Sequence, residues 1–206
     1  MANDIWPVVH AERRALAADL AELTEEQWRT PSLCAGWSVH EVLAHMVSTA
    51  TLTPPAFFAG LIGSGFSFDR FTSRRIAAQS AGGPAATLGA FRSVETSTSA
   101  PPGPTTSWLG EALVHAEDIR RPLGIQHDYP VDAVRRVTEF YAGSNLLIGG
   151  KRRVEGVTLQ ATDADWSHGS GPLVSGPVLA LMLATTGRKA ALDELSGPGV
   201  EILRSR

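Results

Sequence analysis

Two histidines and a glutamate stand at spacings that could place them around one metal ion. Glu111 and His115 are four residues apart, so on a helix both side chains project from one face with their Cβ atoms about 6 Å apart. His45 shares a helical face with the apolar residues Val42 and Met46, and this spacing points it toward the interior of a helical bundle. Two imidazoles and one carboxylate suit a borderline ion such as zinc, and three protein ligands leave positions open for water or substrate. The pattern is typical of a catalytic metal site built between helices.

Each of these residues also has an ordinary structural interpretation. An inward histidine is often a hydrogen-bonded core residue, and a Glu–His pair at this spacing is often a surface pair. Asp118, one turn beyond His115, could orient that imidazole, or it could be an exposed acid that pairs with Arg121. His40 lies about 140° around the helix from His45, so we expect it to face solvent.

Cys34 is the only cysteine, which excludes an intrachain disulfide and every cysteine-rich zinc site. It could act as a nucleophile with His40 as a nearby base, but it lies in a turn and has no evident orienting acid. We therefore interpret Cys34 as a small packed residue. The His-Glu-x-x-His motif of many zinc proteases is also missing, so a peptidase would lack its activating glutamate.

Composition restricts the class of protein and its partners. The 206 residues are 43% hydrophobic and 19% charged, which is typical of a globular chain with a full core. A formal net charge of −3 gives no electrostatic reason to expect nucleic acid or an anionic membrane as a partner. The first residues show no secretory signal, and no apolar stretch approaches the ~18 residues needed to span a bilayer. We expect a cytoplasmic protein.

Helical periodicity and capping residues predict the elements that must position these side chains. The longer helices are expected over 3–23, 39–53, 107–122, 131–148 and 178–186, with shorter pieces over 56–62, 68–80 and 85–98. Ser38 and Glu41 form a capping-box pattern before the helix of His45, and Ser107 is expected to cap the helix of Glu111 and His115. Alternation over 157–161 predicts a strand. The predicted fold is mainly α, with a helical bundle over 1–150 and a small α+β portion over 151–206.

Three segments in combination resemble a known family. They are 33–39 (LCAGWSV), 42–45 (VLAH) and 111–124 (EALVHAEDIRRPLG). Together they resemble the mycothiol-dependent maleylpyruvate isomerase family of actinobacteria, which belongs to the DinB-like four-helix bundles. The segments 161–166 (ATDADW) and 183–188 (LATTGR) are similar to the small C-terminal portion that is common in such proteins.

The resemblance implies that His45, Glu111 and His115 bind Zn²⁺ or another divalent ion. It implies that this metal activates the thiol of mycothiol, and that Arg188, in the C-terminal portion, assists the carboxylate of the substrate. The expected partners are therefore a low-molecular-weight thiol and a small electrophile, and bundles of this type often pair into homodimers.

Three functions remain open at this point. The first is an isomerase or S-transferase in which a metal-held thiolate adds to an electrophilic carbon. The second is a DinB-like stress or binding protein without turnover. The third is a metal-dependent hydrolase in which the open metal position holds hydroxide.

Overall fold

The computed structural model describes residues 4–146 and 148–206. The chain divides into two compact units, of which the first ends at His127 and the second begins at Asp128. The described residues are mainly helical with one small three-stranded sheet, which confirms the predicted fold class. Among these residues, no helix is both long enough and apolar enough to cross a membrane.

The first unit is helical, and four of its helices form a bundle. Its elements are α1 (Trp6–Asp19), α2 (Glu25–Arg29), α3 (Val39–Thr51), α4 (Pro54–Gly63), α5 (Phe68–Ser80), α6 (Gly83–Ser93) and α7 (Thr105–Leu123). Both α1 and α3 pack against α6 and against α7, which closes the four-helix arrangement. The predicted helices over 39–53 and 68–80 correspond to α3 and α5, whereas the helix expected over 85–98 ends at Ser93.

Large apolar side chains from each helix fill the centre of this bundle. Leu16 of α1, Leu43 of α3, Phe91 of α6 and Leu113 of α7 are all fully buried. Burial of one such side chain contributes about 1.5–3 kcal/mol, so the apolar faces determine how each helix is rotated about its axis. That rotation also determines where polar residues on the same helices point.

Capping groups fix the ends of the two helices that carry the candidate ligands. The capping box before α3 is present, because Ser38 Oγ accepts a hydrogen bond from the Glu41 amide and the Glu41 carboxylate accepts one from the Ser38 amide. The Ser107 cap was wrong: α7 begins earlier, after Pro104, and the Ser107 hydroxyl donates back to the Pro104 carbonyl at 2.6 Å. At its other end α7 stops at Gly124, whose φ of 70° is the left-handed conformation that glycine favours.

The second unit packs short helices against the sheet. Its elements are α8 (Val131–Gly143), α9 (Gly150–Arg153), β1 (Thr158–Ala161), β2 (Ser167–Gly169), β3 (Leu173–Gly176), α10 (Val178–Thr185), a 3₁₀ helix (Lys189–Glu194) and α11 (Val200–Arg204). The central strand β1 pairs antiparallel with β2 and parallel with β3, with Leu159 opposite His168 and Val174. Leu159 and Val174 point into a core shared with Leu181 of α10.

The second unit begins at Asp128, whereas the sequence predicts a boundary after residue 150. Helix α8 packs on α10, so its apolar residues Val134 and Val137 belong to the second unit. The helix predicted over 131–148 ends at Gly143, because Ser144 takes an extended conformation with φ −132° and ψ 141°. Leu147, which was included in that predicted helix, lies outside the described residues.

Candidate metal centre

His45 lies on the second turn of α3 and faces α7. The capping box starts the helix at Val39, so the apolar face of α3 turns inward and brings His45 with it. The His45 side chain is only 18% exposed. The indole of Trp37, from the turn before α3, lies against the imidazole with ring centroids 5.1 Å apart. His45 is therefore held on one side by an aromatic ring and open toward α7.

Glu111 and His115 complete the cluster from α7. The two oxygens of the Glu111 carboxylate lie 3.2 Å from His45 Nε2 and 3.5 Å from His115 Nε2. One candidate ligand atom from each of the three residues lies within 4.8 Å of the other two. The structure thus brings together the three side chains that the sequence suggested as metal ligands.

The donor atoms fit a cation. Glu111 Oε1 is buried and has no hydrogen-bond partner among the described residues, although His45 Nε2 lies only 3.2 Å away. An unsatisfied buried carboxylate oxygen costs free energy unless a cation or a donor neutralises it. Two imidazole nitrogens converge on the Glu111 carboxylate, one beside each oxygen, and such a set is well suited to zinc or another borderline divalent ion. His45, Glu111 and His115 are therefore the residues that could hold a metal.

Asp118 fixes the orientation of His115. The Asp118 side chain is fully buried, and its Oδ2 accepts a hydrogen bond from His115 Nδ1 at 2.8 Å. This bond keeps the proton on Nδ1 and directs Nε2 toward Glu111. Asp118 is therefore not the exposed acid of the alternative interpretation, and Arg121 Nε donates to Glu117 at 2.7 Å.

The Glu111 carboxylate and the His115 imidazole shift each other's pKa. Burial disfavours the charged form of Glu111, but the neighbouring His45 and His115 outweigh it and lower its pKa to about 2. Burial likewise disfavours the imidazolium of His115, but the Glu111 charge and the hydrogen bonds to Asp118 and Cys34 raise its pKa to about 10. Without a metal, His115 is therefore an imidazolium paired with the Glu111 carboxylate at neutral pH.

Sequence reasoning missed the contacts of Cys34 beside the cluster and misplaced His40, which lies away from it. Cys34 Sγ donates to Asp118 Oδ2 at 3.2 Å and lies 3.7 Å from His115 Nδ1, so it contacts the residues behind the cluster. His40 lies elsewhere, with Nε2 2.8 Å from Thr87 Oγ1 of α6. The expectation that His40 faces solvent was therefore wrong, and the structure does not pair it with Cys34.

Arg13 of α1 is a further charged residue that the sequence did not suggest. It is buried, it donates to the carbonyls of Val94 and Ser97 at 3.1 and 2.8 Å, and it is close enough to Glu111 for their charges to interact. Burial lowers the pKa of Arg13, and the Glu111 charge opposes that shift. Arg13 follows Val9 by four residues and precedes Leu16 by three, so the helical period places it on the buried face of α1 and leaves Arg14 exposed. That spacing is the signal by which the sequence could have indicated a buried arginine.

Arg188 belongs to the second unit, where it follows α10. Its Nη1 donates to the Thr186 carbonyl at 2.9 Å. The role that the resemblance implied for Arg188, assisting a substrate carboxylate, stays a prediction.

Comparison with known protein families gives a match within the first unit. The family model described as the mycothiol maleylpyruvate isomerase N-terminal domain matches residues 9–103, which include His45 but end before Glu111 and His115. This match confirms the resemblance inferred from the sequence. No curated protein matches the chain with significance.

The whole chain is also similar in fold to solved structures. A crystal structure of the mycothiol-dependent maleylpyruvate isomerase superposes with a TM-score of 0.67 at 16% identity, covering 94% of this chain and 91% of that one. A structure of a histidine-to-alanine mutant of such an isomerase gives a TM-score of 0.66 at 15% identity over the same fractions. At this level of identity, the likeness establishes the shared fold.

Proposed function

We propose that this protein, whose residues 9–103 match the mycothiol maleylpyruvate isomerase N-terminal domain family, is a divalent-metal-dependent enzyme. As its cosubstrate, the enzyme uses mycothiol or a related low-molecular-weight thiol. It adds that thiol to an electrophilic small molecule, and it completes either an isomerisation or an S-transfer. The observation that carries the proposal is the convergence of the His45 and His115 imidazoles on the Glu111 carboxylate, whose buried Oε1 has no hydrogen-bond partner among the described residues.

His45, Glu111 and His115 would hold the metal. When bound, a divalent cation lowers the pKa of a thiol, so that the thiol is a thiolate at neutral pH. Three protein ligands leave coordination positions free for a second molecule. Zinc is the ion that the donor set suits best.

The protein's own groups prepare this site. Asp118 keeps the Nδ1 proton on His115 and thereby presents the Nε2 lone pair on the side of Glu111. The Glu111 carboxylate supplies the negative charge that compensates a cation between two neutral imidazoles. The Trp37 ring covers one side of His45 and limits the access of water there.

The chemistry of an isomerisation balances without any further reactant. The thiolate sulfur donates an electron pair to one carbon of an activated double bond, and the π electrons move onto the conjugated carbonyl as an enolate. The former double bond is then a single bond and rotates. When the enolate electrons re-form the double bond, the carbon–sulfur bond breaks and the thiolate is released unchanged. An S-transferase would differ only in the last step, in which a proton equivalent to the one that the thiol released adds to the enolate carbon and the sulfur stays attached.

The test combines metal analysis with thiol binding and turnover. We expect purified protein to carry about one divalent metal per chain, and a cobalt-substituted sample to develop a sulfur-to-cobalt absorption band when mycothiol is titrated. Mycothiol-dependent isomerisation of maleylpyruvate, or conjugation of another electrophile, would then define the reaction. His115→Ala should lose metal, thiol band and turnover together.

The matched control is His40→Ala, which removes a histidine of the same helix as His45 that contacts Thr87 rather than the cluster. It should retain the metal. Protein without metal, or His115→Ala with full metal content, would contradict the proposal. Metal without a thiol band would favour the hydrolase or the binding protein.

A further inference from the structure

The second unit contains a cavity of about 150 Å³. Three cationic side chains line it: Arg153 at the end of α9, Lys189 at the start of the 3₁₀ helix, and Arg206 after α11. The rest of the lining is apolar or lacks a side chain, and consists of Ala184, Gly187, Leu192 and Leu203. The cavity lining thus combines three positive charges with a small apolar surface.

The hydrogen bonds that the structure describes for the three cationic side chains go to backbone carbonyls. Within the described residues, no acid lies at ion-pair distance from Arg153, Lys189 or Arg206. The nearby acids Asp193 and Glu201 instead pair with Arg204, at 2.9 and 3.4 Å. Lys189 Nζ donates to the Arg204 carbonyl at 3.0 Å, and Arg206 Nη1 donates to the Arg153 carbonyl at 2.6 Å. Carbonyl oxygens orient these side chains but do not neutralise them.

Arg153 is the most firmly positioned of the three. Its Nη1 donates to the carbonyls of Thr185 and Ile148 at 2.7 and 3.3 Å, and its Nη2 donates to Ile148 at 3.3 Å. The Nε–H has no acceptor among the described residues. Because Nε and Nη2 form one edge of the guanidinium, Arg153 keeps donors on the edge that commonly binds an oxyanion in a bidentate manner.

Because Gly187 has no side chain, it leaves room for the Arg153 guanidinium. A Cβ atom built at Gly187 would lie 3.2 Å from Arg153 Cζ and 3.3 Å from Arg153 Nε, closer than most real Cβ contacts. The residue also has a φ of 93°, which glycine adopts readily and other residues rarely do. A glycine at this position therefore allows the arginine to lie flat against the backbone at the edge of the cavity.

The local charges repel one another when no anion is present. Partial burial lowers the pKa of Arg153, and the charges of Arg188 and Arg152 lower it further. A bound anion would relieve this repulsion, whereas a cation or a neutral molecule would not.

We propose that this cavity binds a small organic anion, a carboxylate or a phosphate monoester with a short apolar body, through Arg153 and Lys189 with Arg206 at the rim. The oxyanion group meets the cations, and the apolar body rests on Leu192 and Leu203. All lining residues belong to the second unit, so binding does not depend on the proposed metal and thiol chemistry.

Calorimetric titration of the full-length protein at low ionic strength tests this site. The probes are pentanoate, butyl phosphate, inorganic phosphate and pentanol. We expect pentanoate or butyl phosphate to bind more tightly than inorganic phosphate, and pentanol not to bind. Preference for one of the first two identifies which oxyanion the site takes.

Substitutions then locate the binding. Arg153→Gln should weaken the preferred probe about tenfold or more. Because Arg153 also donates hydrogen bonds to two carbonyls, Lys189→Gln serves as a second variant. The Lys189 side chain is exposed, and within the described part of the chain its one hydrogen bond goes to the Arg204 carbonyl. Lys151→Gln, which removes an exposed charge from α9 outside the cavity, is the matched control and should bind normally.

Three further results test whether the anion binds in this cavity. His115→Ala should bind the anion as the unmodified protein does, which separates this site from the metal centre. If Lys151→Gln and Lys189→Gln weaken anion binding equally, the proposal is overturned in favour of non-specific electrostatic attraction. The same conclusion follows if pentanoate and butyl phosphate bind no more tightly than inorganic phosphate.

Discussion

The buried carboxylate of Asp118 accepts a hydrogen bond from His115 Nδ1 at 2.8 Å, and this bond turns His115 Nε2 toward the Glu111 carboxylate at 3.5 Å. A residue outside the candidate ligand set therefore determines which nitrogen of His115 is available. Partners of this kind raise the basicity of a ligating imidazole and restrict its rotation.

Asp118→Asn should weaken metal binding without removing any candidate ligand. The amide keeps the size of the side chain but removes the charge that holds the Nδ1 proton, so we expect metal affinity to fall about 10–100-fold. Competition with a chromophoric chelator measures this affinity. Asp69→Asn, an exposed acid of α5 in the same unit, is the control and should match the unmodified protein. Equal affinities for both variants would mean that Asp118 does not support the site.

Substitution of Cys34 tests whether its thiol supports the metal site through a hydrogen bond or acts as a catalytic nucleophile. Its Sγ–H donates to Asp118 at 3.2 Å, a bond that serine can also make. We expect Cys34→Ser to keep metal and turnover, and Cys34→Ala to lower metal affinity about threefold through the lost hydrogen bond. Competition with a chromophoric chelator measures the metal affinity, and steady-state kinetics with saturating metal measure turnover. Complete loss of turnover in Cys34→Ser at full metal content would instead identify Cys34 as a catalytic nucleophile.

The metal-free protein should lose stability as the pH rises from about 6.5 to about 10. The Glu111 carboxylate raises the pKa of His115 to about 10, so the folded state retains a proton there that the unfolded state releases near pH 6.5. The contribution is complete below pH 6.5 and is lost as the pH approaches 10. We expect the free energy of unfolding to be about 2 kcal/mol or more lower at pH 9.5 than at pH 6.

Urea denaturation in the presence of a chelator measures this difference. His115→Gln cannot take up the proton, so its stability should change much less over the same range. An identical pH profile for the two proteins would show that the raised pKa of His115 does not contribute.

The three candidate ligands could be predicted from the sequence because their positions depend on local helical geometry. The spacing of Glu111 and His115 places both on one side of any α-helix, and His45 lies on the same face as Val42 and Thr49. The capping box also predicted the start of α3 correctly, since it depends only on residues three apart.

The features that the sequence did not reveal depend on contacts between distant segments. Cys34 reaches Asp118 because the turn before α3 packs on α7, where the Leu33 amide donates to the Asp118 carbonyl at 3.2 Å. His40 is half-buried because α6 brings Thr87 against it. The helical period gives the direction of a side chain around its own axis, but not which neighbouring helix covers that direction.

Metal binding at neutral pH should release about one proton from His115. In the metal-free protein His115 is an imidazolium paired with Glu111, whereas a metal ligand must present an unprotonated Nε2. The metal therefore competes with a proton, and its affinity should rise with pH up to about pH 10, by about tenfold per pH unit. Zinc titration by calorimetry at pH 7.5, in buffers that differ in ionisation enthalpy, gives the number of protons released. Glu111→Gln removes the charge that retains the proton, so the variant should release less while binding zinc more weakly. Zinc binding with a buffer-independent enthalpy would contradict this account, because it would mean that His115 carries no displaceable proton.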